Sequence, residues 1–443
     1  MEGDEPEDKP HARWRNALRG NVLMMGLVSL FTDFSSEMIY PLLPMFIAGL
    51  VRAAHPQAGT ERVLALAAVY VGTMGGLAET TSSLLKIFSG RISDKLGKRR
   101  ALVAVGYGIS TVARPAMALA GAAWQVVGLR VADRVGKGVR TSPRDALISD
   151  AADPRVHGLA FSFHRVMDHT GAVLGPLVGI GVLYAFLGRT LWKGAASVAG
   201  ADEMSALRWL FAIALVPGLA AMAVIFGKVR EIAPKPAERE KGRMRLSAWR
   251  QLPGRFYAYV GIVFLFSLGN SSDLFLLLYG QKLFGYGLGT IIALWVLLHV
   301  SKIVFSFPGG ILSDKLGRRP MIVAGWSIYA LVYVGMAWLG GGWFGVTGAS
   351  WAFWALIAAY GFYYGMTEGV EKALVADFTA SEHRGTAYGV YHGAEGVAKL
   401  PASLLFGVFW LVVGPEVAFG IGAGLAAAAV ICLSILLSTA RKR

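Results

Sequence analysis

Runs of about twenty apolar residues, broken by short polar or basic segments, recur from residue 20 almost to the end of the chain. An α-helix needs about 20 such residues to cross a hydrocarbon core of roughly 30 Å. Lipid offers the backbone no hydrogen-bond partner, so each run must satisfy its own amides, and a helix does this. Spans are expected near 20–50, 63–89, 101–119, 122–141, 158–188, 205–228, 254–280, 284–311, 320–341, 350–376, 385–413 and 416–438. The predicted fold class is an all-α membrane protein with twelve transmembrane helices.

The pattern also divides the chain. A charged, proline-containing linker over 229–253 separates a six-helix half at 20–228 from a second at 254–438, with tails at 1–19 and 439–443. The halves repeat each other. Ser93-Asp94-Lys95-Leu96-Gly97 returns as Ser313-Asp314-Lys315-Leu316-Gly317, and Ala146-Leu147-Ile148-Ser149-Asp150 as Ala373-Leu374-Val375-Ala376-Asp377. Ser35-Ser36-Glu37 is answered by Ser271-Ser272-Asp273, and Gly26-Leu27-Val28 by Gly261-Ile262-Val263. Parallel repeats of this kind place a binding site near the bilayer midplane, between halves that rock about it.

Composition agrees: 55% of residues are hydrophobic and 16% charged, against roughly 25% charged in soluble domains. The net charge of +15 is a matter of topology, not of nucleic-acid binding. Arg91, Lys95, Lys98, Arg99 and Arg100 crowd one loop, and a longer basic series from Lys228 to Arg255 crowds the linker. Loops of opposite parity carry little: Arg52 and Arg62, then Arg189 and Lys193, then Lys282. The positive-inside rule puts the crowded loops and both termini in the cytoplasm of an inner-membrane protein. The acidic opening segment lacks the basic start and short apolar core of a cleaved signal, so the first span is expected to be retained. The single cysteine, Cys432, leaves no internal disulfide.

Three motifs carry a family resemblance. Gly90-Arg91-Ile92-Ser93-Asp94-Lys95-Leu96-Gly97-Lys98-Arg99, with its counterpart from Gly310 to Arg319, resembles the signature between helices 2 and 3 of the major facilitator superfamily. That resemblance, covering about 20–440, implies a cytoplasmic latch of Gly90, Asp94, Gly97, Arg99, Gly310, Asp314, Gly317 and Arg318. Leu129-Arg130-Val131-Ala132-Asp133-Arg134-Val135-Gly136-Lys137-Gly138 resembles the family's helix-4 motif, which implies a proton-coupling role for Arg130; Asp133 and Arg134 depart from the usual glutamine and glycine. The stretch from Gly171 to Gly179, including Gly175 and Pro176, resembles the helix-5 motif of antiporters and implies efflux.

Charges inside the spans carry the candidate chemistry. Each costs roughly 2.5–3.5 kcal/mol or more at the bilayer centre, so it should face a cavity or a partner. Asp33 and Glu37 share a face of helix 1, as do His164 and Asp168 on helix 5. Asp33, Glu37 and Asp168, with Arg130, are the proton-coupling candidates, since burial raises a carboxylate's proton affinity and nearby cations lower it. Glu79, Arg114, His164, Arg165, Asp273, Lys302, Glu368, Glu395 and Lys399 are expected in the substrate cavity. The alternative for each is an internal ion pair, such as Glu395 with Lys399. The run Tyr360, Phe362, Tyr363 and Tyr364 could stack on a ring.

There is no nucleotide-binding phosphate loop and no catalytic constellation, so neither ATP drive nor an enzyme is expected. Histidines are scattered, and neither a resident metal nor a cofactor is expected. The function expected is a proton-coupled antiporter, monomeric in the bilayer, exporting a small polar-to-amphipathic solute such as a drug, metabolite or siderophore. Uptake by symport, an iron-type metal exporter and a non-transporting sensor are the alternatives.

Overall fold

The computed structural model describes residues 19–188, 198–232, 251–286, 288–340 and 346–438. The predicted tails and linker, with Arg189 and Lys193, lie wholly or mostly outside them. The described chain is all-helical. Helix α1 runs Gly20–Ile39, passes a 3₁₀ turn at Tyr40–Leu42 beside Pro41, and continues as Leu43–Ala54. Helices α2 (Thr60–Leu96), α3 (Arg99–Ala116), α4 (Ala123–Ala151), α5 (His157–Leu187) and α6 (Ala201–Ile213, then Leu215–Gly227) complete the first half. The second has α7 (Gly254–Gly269, then Leu274–Phe284), α8 (Leu288–Leu316), α9 (Arg318–Gly340), α10 (Val346–Asp377), α11 (Arg384–Val412) and α12 (Pro415–Ser438).

Seven of these, α1, α3, α5, α6, α8, α9 and α12, carry a stretch long and apolar enough to cross a bilayer on composition alone. Helices α2, α4, α10 and α11 do not, because charged and polar residues interrupt them, and α7 is split. Charged residues of all four line the space between the halves, while α2 and α11 also keep exposed apolar residues such as Phe88 and Leu404.

Two boundaries differ from expectation in a way that matters. Helix α2 continues to Leu96 and α4 to Ala151, well beyond the apolar stretches ending near 89 and 141. The latch sequences are therefore the last turns of helices. Helix α2 stops only at Gly97, whose φ of +58° lets its N–H return to the Ser93 carbonyl at 3.0 Å; a side chain would strain that left-handed turn. Gly317 closes α8 in the same way at φ +96°.

Within the first half α1 packs on α5 and α6, and α4 on α2 and α3; within the second, α10 packs on α8 and α9, and α12 on α7 and α9. The halves meet along α2 with α11, and α5 with α8 and α10. Gly171 and Gly175 lie directly against α1: a Cβ on Gly175 would stand 2.9 Å from the Met38 amide nitrogen. The tyrosine run belongs to a buried aromatic core of the second half. There Phe266 stacks on Trp326 at 4.2 Å, and Tyr360 and Tyr363 pack around Tyr329. Phe362 sits edge-on to Phe305. Tyr360 and Tyr363 are thus packing residues, not a platform facing the cavity.

Candidate functional site

One end of the bundle is closed by reciprocal helix caps. Asp94, ending α2, accepts hydrogen bonds from the amides of Gly385 (3.0 Å) and Thr386 (2.6 Å) at the start of α11. Asp314, ending α8, accepts from the amides of Gly158 (3.0 Å) and Leu159 (2.9 Å) at the start of α5. Each carboxylate caps a helix N-terminus of the opposite half, where unpaired amides and the helix dipole favour negative charge. Arg99 joins Asp94 (3.3 Å) to Asp150 at the end of α4, and Asp150 also takes Arg384 of α11 at 2.7 Å. Arg318 plays the Arg99 part, bonding Asp314 and Asp377. The halves differ by one residue: Arg99 lies two positions past its glycine, Arg318 one. Arg100 and Arg319 then both reach carbonyls of the last helix of their own half, Phe226 at 2.7 Å and Ser434 at 2.9 Å.

Asp94→Asn and Asp314→Asn are expected to loosen this end. Spin–spin distances between labels at the ends of α2 and α11 should broaden and lengthen in each variant relative to wild type. Unchanged distributions in both would show that the caps do not hold the halves together.

Beyond the caps lies a polar cavity of about 160 Å³ between the halves. Its lining runs over several turns, from Lys372, five residues before the end of α10, to Lys399, fifteen into α11, with most of its charges between. Arg165 and Asp168 are eight and eleven residues into α5, His392 and Glu395 eight and eleven into α11, and Lys86 ten before the end of α2. At 1.5 Å per residue, that is about 12–17 Å from the closed end, near the middle of a 30 Å core. Seven cationic side chains line it: Lys86, Lys137, Arg140, Arg144, Arg165, Lys372 and Lys399. Four carboxylates face them: Asp33, Asp168, Glu368 and Glu395.

Much of this charge is tied across the halves. Asp145, fully buried on α4, pairs with Arg144 (2.8 Å), with Lys372 of α10 (3.1 Å) and with His392 of α11 (2.7 Å). Asp145 and Lys372 immediately precede the repeated Ala146 and Ala373 segments, so repeat-equivalent positions of opposite charge meet each other. Arg165 bonds Asp168 (2.6 Å) and reaches Glu368 of α10 (3.2 Å), which also faces His169 at 3.3 Å. Ser29 of α1 donates to Asp168. His392 turns its other nitrogen to Glu395 (2.9 Å), which also accepts from Tyr391 at 3.3 Å. Asp33 makes no hydrogen bond or ion pair among the described residues.

Of the residues singled out from sequence, Asp33, Asp168, Arg165, Glu368, Glu395 and Lys399 come together here. The others do not line the cavity. Arg114 and Arg130 are both held by Asp133, at 2.9 and 3.0 Å, and Arg130 also lies over the Tyr40 ring. Arg114 is thus a buried structural partner. Asp273 and Lys302 pair with each other at 3.3 Å in a separate cluster with Tyr360 and Tyr364. His164 is buried behind Asp168 at 3.5 Å, Glu37 packs beside Gly175, and Glu79 is exposed on α2 two turns from Lys86. Glu395 takes His392, not Lys399, as its partner. No group of three potential metal ligands occurs among the described residues.

Sequence reasoning missed Asp133, Lys137, Arg140, Arg144 and Asp145. Ending helix 4 at 141 put Arg144 and Asp145 in a loop, while Asp133, Lys137 and Arg140 lay inside the expected span and were not singled out as site residues. The signal was present: Lys137, Arg140, Thr141 and Arg144 recur at the i, i+3, i+4, i+7 spacing of one helical face.

Twelve helices in two repeats, closed at one end around a charged interior, define a membrane carrier. The chain belongs to the major facilitator superfamily: the Major Facilitator Superfamily profile matches residues 25–391 and 298–443. An uncharacterised MFS-type transporter of Methanocaldococcus jannaschii is 30% identical over 415 residues, 92% of this chain and 93% of that protein. The multidrug resistance protein MdtH of Edwardsiella ictaluri is 29% identical over 133 residues, 30% of this chain and 33% of that protein. Among solved structures, the proton:xylose symporter XylE superposes with a TM-score of 0.70 at 16% identity, covering 95% of each chain. The human organic anion transporter MFSD10 also reaches 0.70 at 16% identity, covering 93% of this chain and 98% of that one. The protein is a multi-pass membrane transporter of small solutes.

Proposed function

We propose that this transporter is a proton-coupled antiporter that exports a small polar solute across the inner membrane, with the closed end and both termini in the cytoplasm. The observation that carries the reading is Asp33: a carboxylate lining the cavity between the halves with no cation bound to it. Such a group can exchange a proton with the cavity without breaking an ion pair, whereas Asp168 is held by Arg165 and Ser29. The closed end then represents the state open to the outside, where a proton enters and solute leaves. Antiport draws support from the glycines of α5, which lie against α1, the helix that bears Asp33. It also draws on the partial similarity to MdtH.

The test is a solute screen in proteoliposomes with an imposed pH gradient. Exchange predicts that a transported solute concentrates on the acidic side, and that a protonophore abolishes this. Accumulation on the alkaline side would replace antiport by symport. Equilibration indifferent to the gradient would remove proton coupling.

A further inference from the structure

Three lysines line the cavity without a direct ion pair. The ammonium groups of Lys86 on α2, Lys137 on α4 and Lys399 on α11 make no ion pair or hydrogen bond among the described residues. The other lining cations are accounted for. Arg144 and Lys372 share Asp145, and Arg165 holds Asp168 and Glu368. Arg140 lies 4.3 Å over the Tyr107 ring and donates to Ser110 at 2.5 Å. Of the lining carboxylates, only Asp33 is left uncommitted. With Glu79, which lies near the three lysines without pairing to one, three unpaired positive charges stand against two unpaired carboxylates.

An ammonium group in a partly dehydrated cavity is costly unless something supplies the opposite charge. Here Glu79 and Asp33 lie near the lysines but form no ion pair with any of them, and the lysines come from both halves. We propose that Lys86, Lys137 and Lys399 form the recognition site for a small organic dianion carrying carboxylate or phosphate groups, held between the halves. Lysine suits this role, because its ammonium is a compact point charge that binds such oxyanions without a fixed geometry. A cavity of about 160 Å³ resembles the ~150 Å³ that encloses benzene, so the enclosed part of the solute is about that size. A dianion touching Lys137 on one side and Lys399 on the other would draw the halves together around it. The inference rests on this cavity being the transport path.

The purified full-length protein is tested in detergent with succinate and with glycerol 3-phosphate, one source of dianion each, against glycerol and tetraethylammonium. At least one dianion should raise the thermal unfolding midpoint saturably, and high salt should weaken the effect. Half-saturation should rise at least tenfold in Lys137→Gln and Lys399→Gln, by less than threefold in Lys137→Arg, and not in Lys228→Gln at the surface. Should the glutamine variants fail to fold, the wild type still decides: the same dianion should slow acylation of Lys137 and Lys399, read by mass spectrometry, but not of Lys228. The proposal is overturned if neither dianion acts, if tetraethylammonium alone does, or if neither the glutamine variants nor the acylation pattern responds. Dianion binding without proton movement would sink the coupling proposal and leave this site standing. Proton-driven flux with no dianion binding would do the reverse.

Discussion

Asp33→Asn is expected to abolish accumulation against a gradient while leaving downhill exchange of preloaded solute within a few-fold of wild type. The amide keeps the size and polarity of the side chain but can neither take nor give the proton. One charge moved through 100 mV supplies about 2.3 kcal/mol, which sustains about a 50-fold concentration ratio; that whole ratio should collapse to about one. Asp168→Asn has a different expected outcome. It removes the partner of Arg165, a buried guanidinium that retains Glu368, so binding should weaken while accumulation persists at raised solute concentration. Steady-state accumulation and counterflow, measured in the same proteoliposomes, separate the two. Wild-type accumulation by Asp33→Asn would rule this carboxylate out as the proton carrier.

The second large effect concerns stability. Asp133 is 1% exposed, and each of its oxygens binds a different guanidinium, Arg114 and Arg130, both 4% exposed. Arg114 also donates to the Thr32 carbonyl of α1 at 2.6 Å, so the cluster ties α1, α3 and α4. Neutralising the shared carboxylate leaves two buried cations without a counter-charge. Removing one partner of a buried pair costs about 3–5 kcal/mol. Asp133→Asn is expected to lose at least that much in unfolding from mixed micelles. Adding Arg114→Met to it should recover part of the loss, because one stranded charge is then gone. A loss below about 1 kcal/mol would show that water reaches both guanidiniums and that the cluster is not structural.

The departure of Asp133 and Arg134 from the family's usual glutamine and glycine thus acquires a physical meaning. The arginine of the resembling motif, Arg130, is occupied by Asp133 and by the Tyr40 ring, away from the cavity lining. A role for Arg130 in coupling would have to act through this cluster. The same pairing explains why a second buried arginine, Arg114, is tolerated beside Pro115 in an apolar helix.

Legibility differed by the kind of interaction. Spans and repeats were readable because lipid forces a one-dimensional rule: about twenty apolar residues and internally bonded backbone, whatever the neighbours. The caps at the closed end were readable in outline because Asp94 and Asp314 sit in the same repeated sequence. Helix ends were less readable. Charge stops an apolar run without stopping a helix, so α2 and α4 continued through Lys95 and Arg144, held by contacts with the other half. Missing those turns hid Arg144 and Asp145, which share a region of α4 with Lys137 and Arg140.

The sequence by itself determined that this is a twelve-helix, twofold-repeated membrane protein, because local periodicity and lipid solvation decide those features residue by residue. It also marked which intramembrane charges must find partners, since no charge rests alone in hydrocarbon. Only the tertiary structure decided which partner each one found. Glu395 went to His392 and not to Lys399, Arg114 went to Asp133 and not to the cavity, and Asp145 bridged to Lys372 across the repeat axis. The Asp145–Lys372 pair depends on proximity between helices more than two hundred residues apart, and even for Glu395, with His392 and Lys399 both within one turn, spacing along the chain does not choose the partner. The same holds for Lys86, Lys137 and Lys399: what sets them apart is that they are the cavity-lining cations that no ion pair or ring contact takes up.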